Sequence, residues 1–263
     1  MGKSINLEIK KCMEEFNRVA SLENINDWQG NETDIMNNKM MVQRNVTLNM
    51  VIPPLQNILQ SLTKADQPWA EDHFQERISG EPTNPGETYK YWPYHKNLDK
   101  DGRYKDEQFS HTYQERYWPK KAGDILEHSY GHKGIRYNYG DLEDVVKLLS
   151  KNPTTRQAYL PIWFPEDTWA ANNQERVPCS LGYYFYYEYG KLHCNYIIRS
   201  CDLFRHFRND IYLTGRLLQY ISTLLDTQPG NLNMHIFNLH LFKNDVYPFS
   251  QKEKKLENGT NIT

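Results

Sequence analysis

The chain has 263 residues and a formal net charge of −2 at pH 7, and 38% of its residues are hydrophobic. This near-neutral charge gives no electrostatic reason to expect binding to nucleic acid or to a membrane. The 19 tyrosines raise the aromatic content to 13%, too high for a disordered protein, and we expect one folded domain over 1–263. The four cysteines show no C-x-x-C spacing, so neither a zinc site nor a disulfide framework is expected.

The first part of the chain predicts two helices and a strand. Residues 5–20 have the apolar spacing of an amphipathic helix, whereas the Asn- and Asp-containing residues 21–40 predict a loop. Residues 41–51 alternate in polarity as a strand does, and Pro53-Pro54 opens a short helix that ends near Leu62. No apolar run has the length of a signal peptide or a membrane span, so we expect no membrane association.

A further helix is predicted to begin at Pro68, with Asp66 as its N-cap, and to run through Arg77. Residues 79–122 follow as a variable insert that begins with a loop rich in Gly and Pro. The insert is charged and aromatic, and two interpretations stay open. It either covers a bound ligand as a lid, or it is a surface loop whose aromatic side chains pack against the domain.

The second half of the chain alternates strands and helices. Asp141 is a suitable N-cap for the helical pattern that follows it. Residues 181–198 predict two strands joined by a turn at Tyr189-Gly190-Lys191. The remaining predicted elements are a strand over 158–164, a buried apolar helix over 209–226, a strand over 232–242 and a frayed polar tail over 250–263.

Chemically reactive side chains flank the predicted hairpin. Cys179 follows Val177-Pro178 directly before it, Arg199-Ser200-Cys201-Asp202 follows it, and Asp210 stands where the apolar helix begins. A free thiol has a pKa of about 8.5, and nearby guanidinium groups favour the nucleophilic thiolate. Arg199 and Ser200 offer donors for phosphate oxygens. The pattern therefore predicts a thiolate that acts on a phosphorylated substrate.

This ordered set resembles the thymidylate synthase family. The resemblance rests on the Pro178-Cys179 dipeptide, the hairpin, Arg-Ser-x-Asp twenty residues after the cysteine and a helix start eleven residues beyond Arg199. It implies an α+β fold with one mixed β-sheet and packed helices, in a homodimer formed through the sheets. It also implies a pyrimidine nucleoside monophosphate as substrate and 5,10-methylenetetrahydrofolate as cofactor, without a metal.

The resemblance assigns three catalytic roles. Cys179 is the expected nucleophile. Glu71 is the candidate for the glutamate that organises water and proton transfer at the pyrimidine, although Asp72 and Glu76 are equally available. Tyr130 is the candidate for a tyrosine that relays protons near the pyrimidine.

The resemblance also assigns binding roles. Arg199, Ser200 and Arg156 are expected at the phosphate, with Arg156 reaching across a dimer interface. His240 is expected at a sugar hydroxyl, and Asp202 at the pterin of the folate. The chain departs from the family pattern at three positions: Gln157 replaces a second arginine, Phe242 replaces a tyrosine, and Ser180 replaces the histidine that follows the cysteine. Ser180 is also expected to contact the substrate.

Asp210 occupies the position where the family has an asparagine that reads uracil. An ionised carboxylate only accepts hydrogen bonds, so it suits the 4-amino group of cytosine better than O4 of uracil, and a protonated carboxyl donates to N3. A mismatched polar group in a built site discriminates by factors of about 10⁴. In this respect the chain is closest to the phage deoxycytidylate (dCMP) hydroxymethylase branch.

Three functions stay open at this point. The first is C5 hydroxymethylation of a cytidine monophosphate, in which water captures the methylene on C5. The second is C5 methylation of dCMP or dUMP, and the third is a non-catalytic relative that binds a nucleotide. We expect a cytoplasmic protein, in the host cytoplasm if a phage encodes it.

Overall fold

The computed structural model describes residues 2–24, 27–28, 31–32, 39–94, 109–126, 140–173 and 176–258. The helices in these ranges are α1 (Ile5–Val19), α2 (Gln56–Thr63), α3 (Trp69–Ile78), α4 (Tyr113–Tyr117), α5 (Pro119–Leu126), α6 (Leu142–Lys151), α7 (Glu166–Asn172), α8 (Phe207–Leu224) and α9 (Val246–Glu257). The strands are β1 (Ser21–Asn24), β2 (Asp27–Trp28), β3 (Asn31–Glu32), β4 (Lys39–Val51), β5 (Tyr159–Pro161), β6 (Ser180–Glu188), β7 (Lys191–Ile198), β8 (Cys201–Asp202) and β9 (Gln228–Phe242).

One mixed sheet organises the described part of the chain. Its strands follow the order β1-β4-β9-β7-β6-β5, and β8 pairs with β9 beside β7. The β7–β9 and β8–β9 pairs are parallel, whereas the other pairs in this sheet are antiparallel. The α+β class with a mixed sheet and packed helices is therefore confirmed.

Helix α8 lies at the centre of the core, as its apolar pattern predicts. Ile211, Leu217, Leu218 and Ile221 are fully buried. The helix packs against β7 and β9 on one side and against α2 and α3 on the other. This position brings the first turn of α8, which carries Asp210, to the end of the sheet where β7 stops.

The predicted hairpin forms as β6 and β7. Tyr189 and Gly190 both have positive φ angles, 51° and 71°, which is the backbone of a two-residue turn whose twist matches the strands. Glu188 consequently pairs with Lys191, and the register continues to Ser180 opposite Ile198. The turn thus fixes which residues of the two strands reach the far end, where Cys179 and Arg199 lie.

Three local predictions need correction. Residues 21–24 form a strand and not a loop, because β4 is long enough to offer Lys39–Val42 as a pairing edge. Asp66 does not cap α3; its carboxylate accepts from Asn209 Nδ2 and Lys252 Nζ, both at 2.9 Å. The tail is helical through Glu257.

Helix α9 is held by contacts to α8 and its surroundings, which explains why the tail prediction is wrong up to Glu257. Arg208 donates two hydrogen bonds to Glu253, with the shorter at 2.5 Å. Phe249 is buried and packs edge-to-face on Phe204. Ion pairing and apolar burial thus order a segment whose composition alone is that of a solvated tail. None of the described helices is long and apolar enough to cross a membrane.

Candidate active site

Arg199 holds the segment that presents Cys179. The backbone N–H of Arg199 donates to the Cys179 carbonyl at 2.9 Å. Its side chain donates from Nε to the Pro178 carbonyl at 2.9 Å and from Nη2 to the Val177 carbonyl at 3.1 Å. The thiol is partly buried against the core at the start of β6. A guanidinium group is therefore fixed beside the cysteine, and its Nη1 group forms no hydrogen bond within the described residues.

Ser200, Asp202 and His240 lie together at the same edge. Ser200 Oγ is 3.3 Å from His240 Nδ1, and Asp202 pairs with His240 across β8 and β9. Burial lowers the pKa of His240, although Asp202 acts to raise it. The neutral imidazole and the serine hydroxyl can serve as hydrogen-bonding groups for a sugar or phosphate.

Asp210 lies in the first turn of α8 with its carboxyl directed at this edge. Cys201 Sγ is 3.5 Å from Asp210 Oδ2 and can donate to it. Loss of water contact raises the pKa of Asp210 to about 7, against the opposing effect of the Arg77 guanidinium. Asp210 therefore populates both its neutral and its ionised form near neutral pH.

A chain of three hydroxyl groups runs beside Asp210 and Cys179. Tyr113 OH lies 3.1 Å from Ser180 Oγ, which lies 2.6 Å from Tyr196 OH. Burial, followed by the nearby Cys179 and Asp210, raises the pKa of Tyr113. Ser180 is only 1% exposed, so its hydroxyl contacts tyrosines and not an open pocket. The substrate contact expected of Ser180 stays a prediction.

A buried arginine that the sequence analysis did not single out lies next to this chain. The Arg77 guanidinium stacks over the Tyr113 ring at 4.1 Å, and Arg77 is 5% exposed. Its Nε donates to His73 Nε2 at 3.1 Å. His73 Nδ1 contacts Thr88 Oγ1 at 3.0 Å and lies 3.5 Å from Glu76 Oε2. Helix α3 thus supplies three side chains in successive contact, Glu76, His73 and Arg77, and the last of them contacts the Tyr113 ring.

The structure does not join Glu71 to this cluster. Both Glu71 oxygens accept from Arg216 at 2.9 Å, and Oε2 also accepts from Tyr212 OH at 2.7 Å. Positions 71 and 73 lie on nearly opposite faces of a helix with 3.6 residues per turn, so the face that carries Glu71 meets α8 while His73 and Arg77 meet the site. The structure therefore places Glu71 in an ion pair with Arg216, and the catalytic role expected of it stays a prediction.

Arg156 is another candidate that the structure does not place in the cluster. Arg156 is exposed beside an open pocket that Tyr184 and Tyr186 line. These tyrosines lie on the sheet face opposite Tyr183 and Phe185, which are buried in the core. The predicted action of Arg156 across a dimer stays a prediction. Tyr130 lies outside the described residues.

Comparisons with known proteins bear on this arrangement. The family model "Thymidylate synthase" matches residues 87–260, about two thirds of the chain. The chain belongs to the thymidylate synthase family. The match begins inside the segment that the sequence analysis treated as a variable insert, and it includes the helix that carries Tyr113.

Individual relatives of the family are distant. The chain is 28% identical over 123 residues to a protein named "Putative thymidylate synthase" from Methanosarcina barkeri, which covers 46% of this chain and 55% of that protein. A protein of the same name from Methanosarcina acetivorans is 24% identical over 155 residues, 58% of this chain and 70% of that protein. The "Bifunctional dihydrofolate reductase-thymidylate synthase" of Glycine max is 27% identical over 127 residues, 48% of this chain and 23% of that protein. The chain thus spans just over half the length of the first of these relatives.

The residues around Asp202 fit the pterin ring of a folate. Asp202 Oδ1 accepts from the backbone N–H groups of Phe204 and Arg205, and Oδ2 accepts from Arg205 Nη1 at 2.7 Å. Oδ2 keeps a lone pair for a ring N–H. Trp92, Tyr94 and Phe204 form an edge-to-face aromatic cluster with centroid distances of 5.4 Å, and the Arg205 guanidinium links it to Asp202. Flat apolar rings beside a buried carboxylate suit a hydrogen-bonding heterocycle.

Two sequence signals point to the residues that were missed. Thr112 and Glu115 have the spacing of a capping box, and both of its hydrogen bonds are present at the start of α4. This signal predicts the helix that carries Tyr113. His73 and Arg77 are four residues apart on α3, which places them on one helix face. Neither signal alone predicts which part of the fold these residues of α3 and α4 pack against.

Proposed function

We propose that this protein transfers a one-carbon unit from 5,10-methylenetetrahydrofolate to C5 of a pyrimidine nucleoside monophosphate, with dCMP as substrate and 5-hydroxymethyl-dCMP as product. The balanced reaction is dCMP plus 5,10-methylenetetrahydrofolate plus water, giving 5-hydroxymethyl-dCMP and tetrahydrofolate. The folate supplies the one-carbon unit when it is bound beside Asp202. Family membership supports the reaction class, and Asp210 supports the choice of base.

The observation that carries the proposal is the convergence of Cys179 and Asp210 on one partly buried tyrosine. Both groups act on the ionisation of Tyr113, whose hydroxyl hydrogen-bonds to Ser180. A pyrimidine between them would meet a thiol at C6 and a carboxyl at its 3,4-edge. Arg199, Ser200 and His240 then lie on the side where the sugar and phosphate would extend.

The shifted pKa of Asp210 sharpens the argument for cytosine. A neutral carboxyl donates one hydrogen bond and accepts another, which complements N3 and the 4-amino group of cytosine. The neutral carboxyl of Asp210 can also pair with uracil. Once Asp210 ionises, however, the lone pairs of its carboxylate face the lone pairs of uracil O4 and repel them. Cytosine N3 is a far stronger base than uracil O4, so a shared proton between Asp210 and N3 persists to higher pH. Preference for cytosine should therefore rise as the pH passes about 7.

The chemical step follows from these positions. The Cys179 thiolate forms a bond to C6 with its own electron pair, and the C5=C6 pair moves to form C4=C5. The C4=N3 pair takes the proton of Asp210 at N3, and the O–H pair stays on the carboxylate. Negative charge thus passes from sulfur to Asp210, and C5 becomes an enamine carbon that attacks an electrophilic one-carbon unit. C5 then loses its proton, tetrahydrofolate leaves, and a methylene remains on C5. Addition of water to this methylene, or of hydride from the folate, expels the Cys179 thiolate from C6 and restores the C5=C6 bond, which gives the hydroxymethyl or the methyl product.

A tritium-release assay tests the proposal. The protein is incubated with 5,10-methylenetetrahydrofolate and with [5-³H]dCMP, [5-³H]CMP or [5-³H]dUMP, and products are analysed by mass spectrometry. We expect release from a cytidine nucleotide with a gain of CH₂O. A gain of CH₂ would assign methylation, and release only from dUMP would contradict the role of Asp210. Nucleotide binding without any release would identify a non-catalytic relative.

Two substitutions separate the roles. Cys179→Ser should abolish tritium release while nucleotide binding survives, because a hydroxyl is a far weaker nucleophile than a thiolate at neutral pH. Asp210→Asn should lose activity on the cytidine nucleotide, since an amide cannot give up a proton to N3, and should gain on the uridine nucleotide. An unchanged base preference in Asp210→Asn would contradict the carboxyl argument.

A further inference from the structure

Lys252 lies where α9 meets the aromatic cluster that Tyr94 and Phe204 belong to. Its ammonium group donates to Asp66 Oδ1 at 2.9 Å and to Tyr94 OH at 3.2 Å. The same group lies 5.8 Å from the centroid of the Tyr94 ring and 5.7 Å from that of the Phe204 ring. The Lys252 side chain is only 13% exposed, so these contacts hold it within the fold and not on the outer surface of α9.

Asp66 connects Lys252 to the first turn of α8. Its Oδ2 accepts from Asn209 Nδ2 at 2.9 Å, and its backbone N–H donates to Asn209 Oδ1 at 2.9 Å. These two bonds hold both ends of the Asn209 amide, and Asn209 is 2% exposed. Asn209 Nδ2 also donates to the Arg205 carbonyl at 3.0 Å. Because Asn209 directly precedes Asp210 on α8, this pairing fixes the backbone that carries the Asp210 carboxyl.

The Asp66 carboxylate depends on Lys252 for its second oxygen. Within the described residues, Oδ2 accepts from Asn209 whereas Oδ1 accepts from Lys252. The Asp66 side chain is 17% exposed, so removal of the ammonium would leave a largely buried carboxylate oxygen without a partner. Such a loss costs more than that of an ordinary hydrogen bond. Lys252 therefore holds Asp66 in the orientation in which its other oxygen meets Asn209.

The bond from Lys252 to Tyr94 connects the same ammonium group to the proposed pterin site. Tyr94 packs edge-to-face on both Trp92 and Phe204, with centroid distances of 5.4 Å. Lys252 thus contacts a ring on the side where the folate would lie and, through Asp66, the helix turn on the side where the base would lie. No hydrogen bond or ion pair joins Lys252 to Asp210 itself in the described part of the chain.

We propose that Lys252 is a positioning residue that fixes the aromatic cluster and the first turn of α8 relative to each other, so that the folate and the pyrimidine meet at reacting distance. This inference rests on the proposed function, because it requires the folate to bind beside Tyr94 and the pyrimidine beside Asp210. A reaction between two bound molecules depends steeply on their relative placement, and a displacement of about 1 Å lowers the rate about 100-fold.

The first test needs no ligand and compares Lys252→Met with wild type by NMR of ¹⁵N-labelled protein. We expect the Asp66 backbone N–H and the Asn209 side-chain N–H groups to exchange with solvent about 10-fold faster in Lys252→Met, because Asp66 no longer keeps its orientation. Unchanged exchange at these groups would overturn the proposal.

Lys254→Met is the matched control for the exchange measurement. Lys254 lies on the same helix and is exposed, so the same substitution removes one positive charge from α9 without touching Asp66. Exchange at Asp66 and Asn209 should stay at the wild-type rate in Lys254→Met. Equal acceleration in both variants would show a general effect of the charge of α9 and would overturn the proposal.

The second test separates positioning from ligand binding. With dCMP and 5,10-methylenetetrahydrofolate at saturation, kcat of Lys252→Met should fall about 10- to 100-fold, while the KM of each ligand changes less than about threefold. Lys252→Arg retains the charge and both donors, so it should keep most of kcat. An unchanged kcat with a raised KM would show that Lys252 only binds a ligand, and it would overturn the proposal.

Asp66→Asn tests the same connection from its other end. Because Lys252 acts on the first turn of α8 through Asp66, the double variant of Lys252→Met with Asp66→Asn should be no slower than the slower single variant. Losses that multiply would show that the two residues act independently and would overturn the proposal.

Lys252→Gln keeps the test decisive if Lys252→Met does not fold, since its amide still donates to one partner but carries no charge. It should accelerate exchange at Asp66 and Asn209 by less, and unchanged exchange there overturns the proposal. The exchange rates report on the connection through Asp66 in every case, whereas absence of tritium release in wild type would overturn the proposed function separately.

Discussion

The two faces of α3 use charge in opposite ways. On one face Glu71 forms a direct ion pair with Arg216 of α8, and both side chains keep some exposure, 18% and 14%. On the other face Arg77 and His73 are almost fully buried, and no described carboxylate pairs directly with the guanidinium. The same ten-residue helix therefore carries one ion pair that joins it to α8 and one buried guanidinium that forms no ion pair within the described residues.

The two faces also differ in the pKa shifts of their ionisable side chains. The pKa of Glu71 lies below its usual range because hydrogen bonds from Arg216 and Tyr212 outweigh burial, which is what a structural ion pair does. On the buried face of α3, the pKa of His73 is lowered to about 4, and on α8 the pKa of Asp210 is raised to about 7. Strongly shifted pKa values in one region are typical of a functional site. The comparison predicts that substitutions on the buried side strongly change how stability depends on pH, whereas substitution of Glu71 changes it little.

The largest expected effect concerns the stability of the fold against pH. The folded-state pKa of Asp210, about 7, exceeds the value of 3.8 that an exposed aspartate has. Between these pH values Asp210 is ionised in the unfolded chain but protonated in the folded chain, so the free energy of unfolding falls as the pH rises from 4 to 7. The loss amounts to at most about 4 kcal/mol. Urea unfolding at several pH values should show this slope in wild type and a reduced slope in Asp210→Asn. Equal slopes would contradict the shifted ionisation.

Glu76→Gln should destabilise the buried face more than any single change at Glu71. Although burial alone acts to raise it, hydrogen bonds from His73 and Thr88 lower the pKa of Glu76 to about 2. Glutamine would point an amide N–H at donors from Thr88 and Gln114, which costs about 2–3 kcal/mol. Stability from Glu76 is present above pH 4.5 and is lost as the pH falls toward 2. Chemical unfolding at pH 7, pH 3 and pH 2 measures both, and a cost at pH 2 as large as the cost at pH 7 would argue against this assignment.

Glu71→Gln should have a small effect on catalysis. The pair with Arg216 is partly exposed, so its loss should cost about 1 kcal/mol in unfolding free energy. Activity should change less than threefold, because no described contact links Glu71 to Cys179 or Asp210. A loss of activity by orders of magnitude with stability preserved would contradict the interpretation of Glu71 as a structural ion-pair partner. It would restore Glu71 to the catalytic role that the sequence resemblance assigned to it.

The sequence predicted the parts of this protein that depend on local pattern. The hairpin over 181–198 follows from β-branched and aromatic residues around a Tyr-Gly turn, and α8 follows from its apolar spacing. One hairpin and one helix start place five of the predicted site residues at the same edge of the sheet: Cys179, Arg199, Ser200, Asp202 and Asp210. These elements are consecutive, so spacing alone fixes their neighbourhood.

The rest of the site depends on contacts that spacing does not contain. Arg77 reaches the Tyr113 ring only because α3 packs against α4 and α8. Tyr113 lies 67 residues before Ser180 and reaches it from a helix within the predicted insert. The expectation of a glutamate led to Glu71, although α3 carries carboxylates on more than one face. Choosing among them requires the tertiary packing, since all of them satisfy the same helical pattern.

The smallest expected effect concerns Cys201, which touches Asp210 directly. Its thiol is a weak donor at 3.5 Å from Oδ2, and Cys201→Ala removes that bond. The Asp210 pKa should rise by about half a unit, in line with a weak hydrogen bond to a charged group. The pH at which dUMP binding is lost should rise equally, because Asp210 stays neutral to a higher pH.

Cys194→Ala provides the control for the volume lost in Cys201→Ala. Cys194 is also fully buried, on β7, and the same atoms are removed without contact to Asp210. Both variants should lose similar stability, about 1–2 kcal/mol for the small cavity. Only Cys201→Ala should move the pH midpoint of dUMP binding measured by calorimetry. A shift in both would mean that core loosening, and not the thiol, sets the ionisation of Asp210, and the buried face would then act through packing as well as charge.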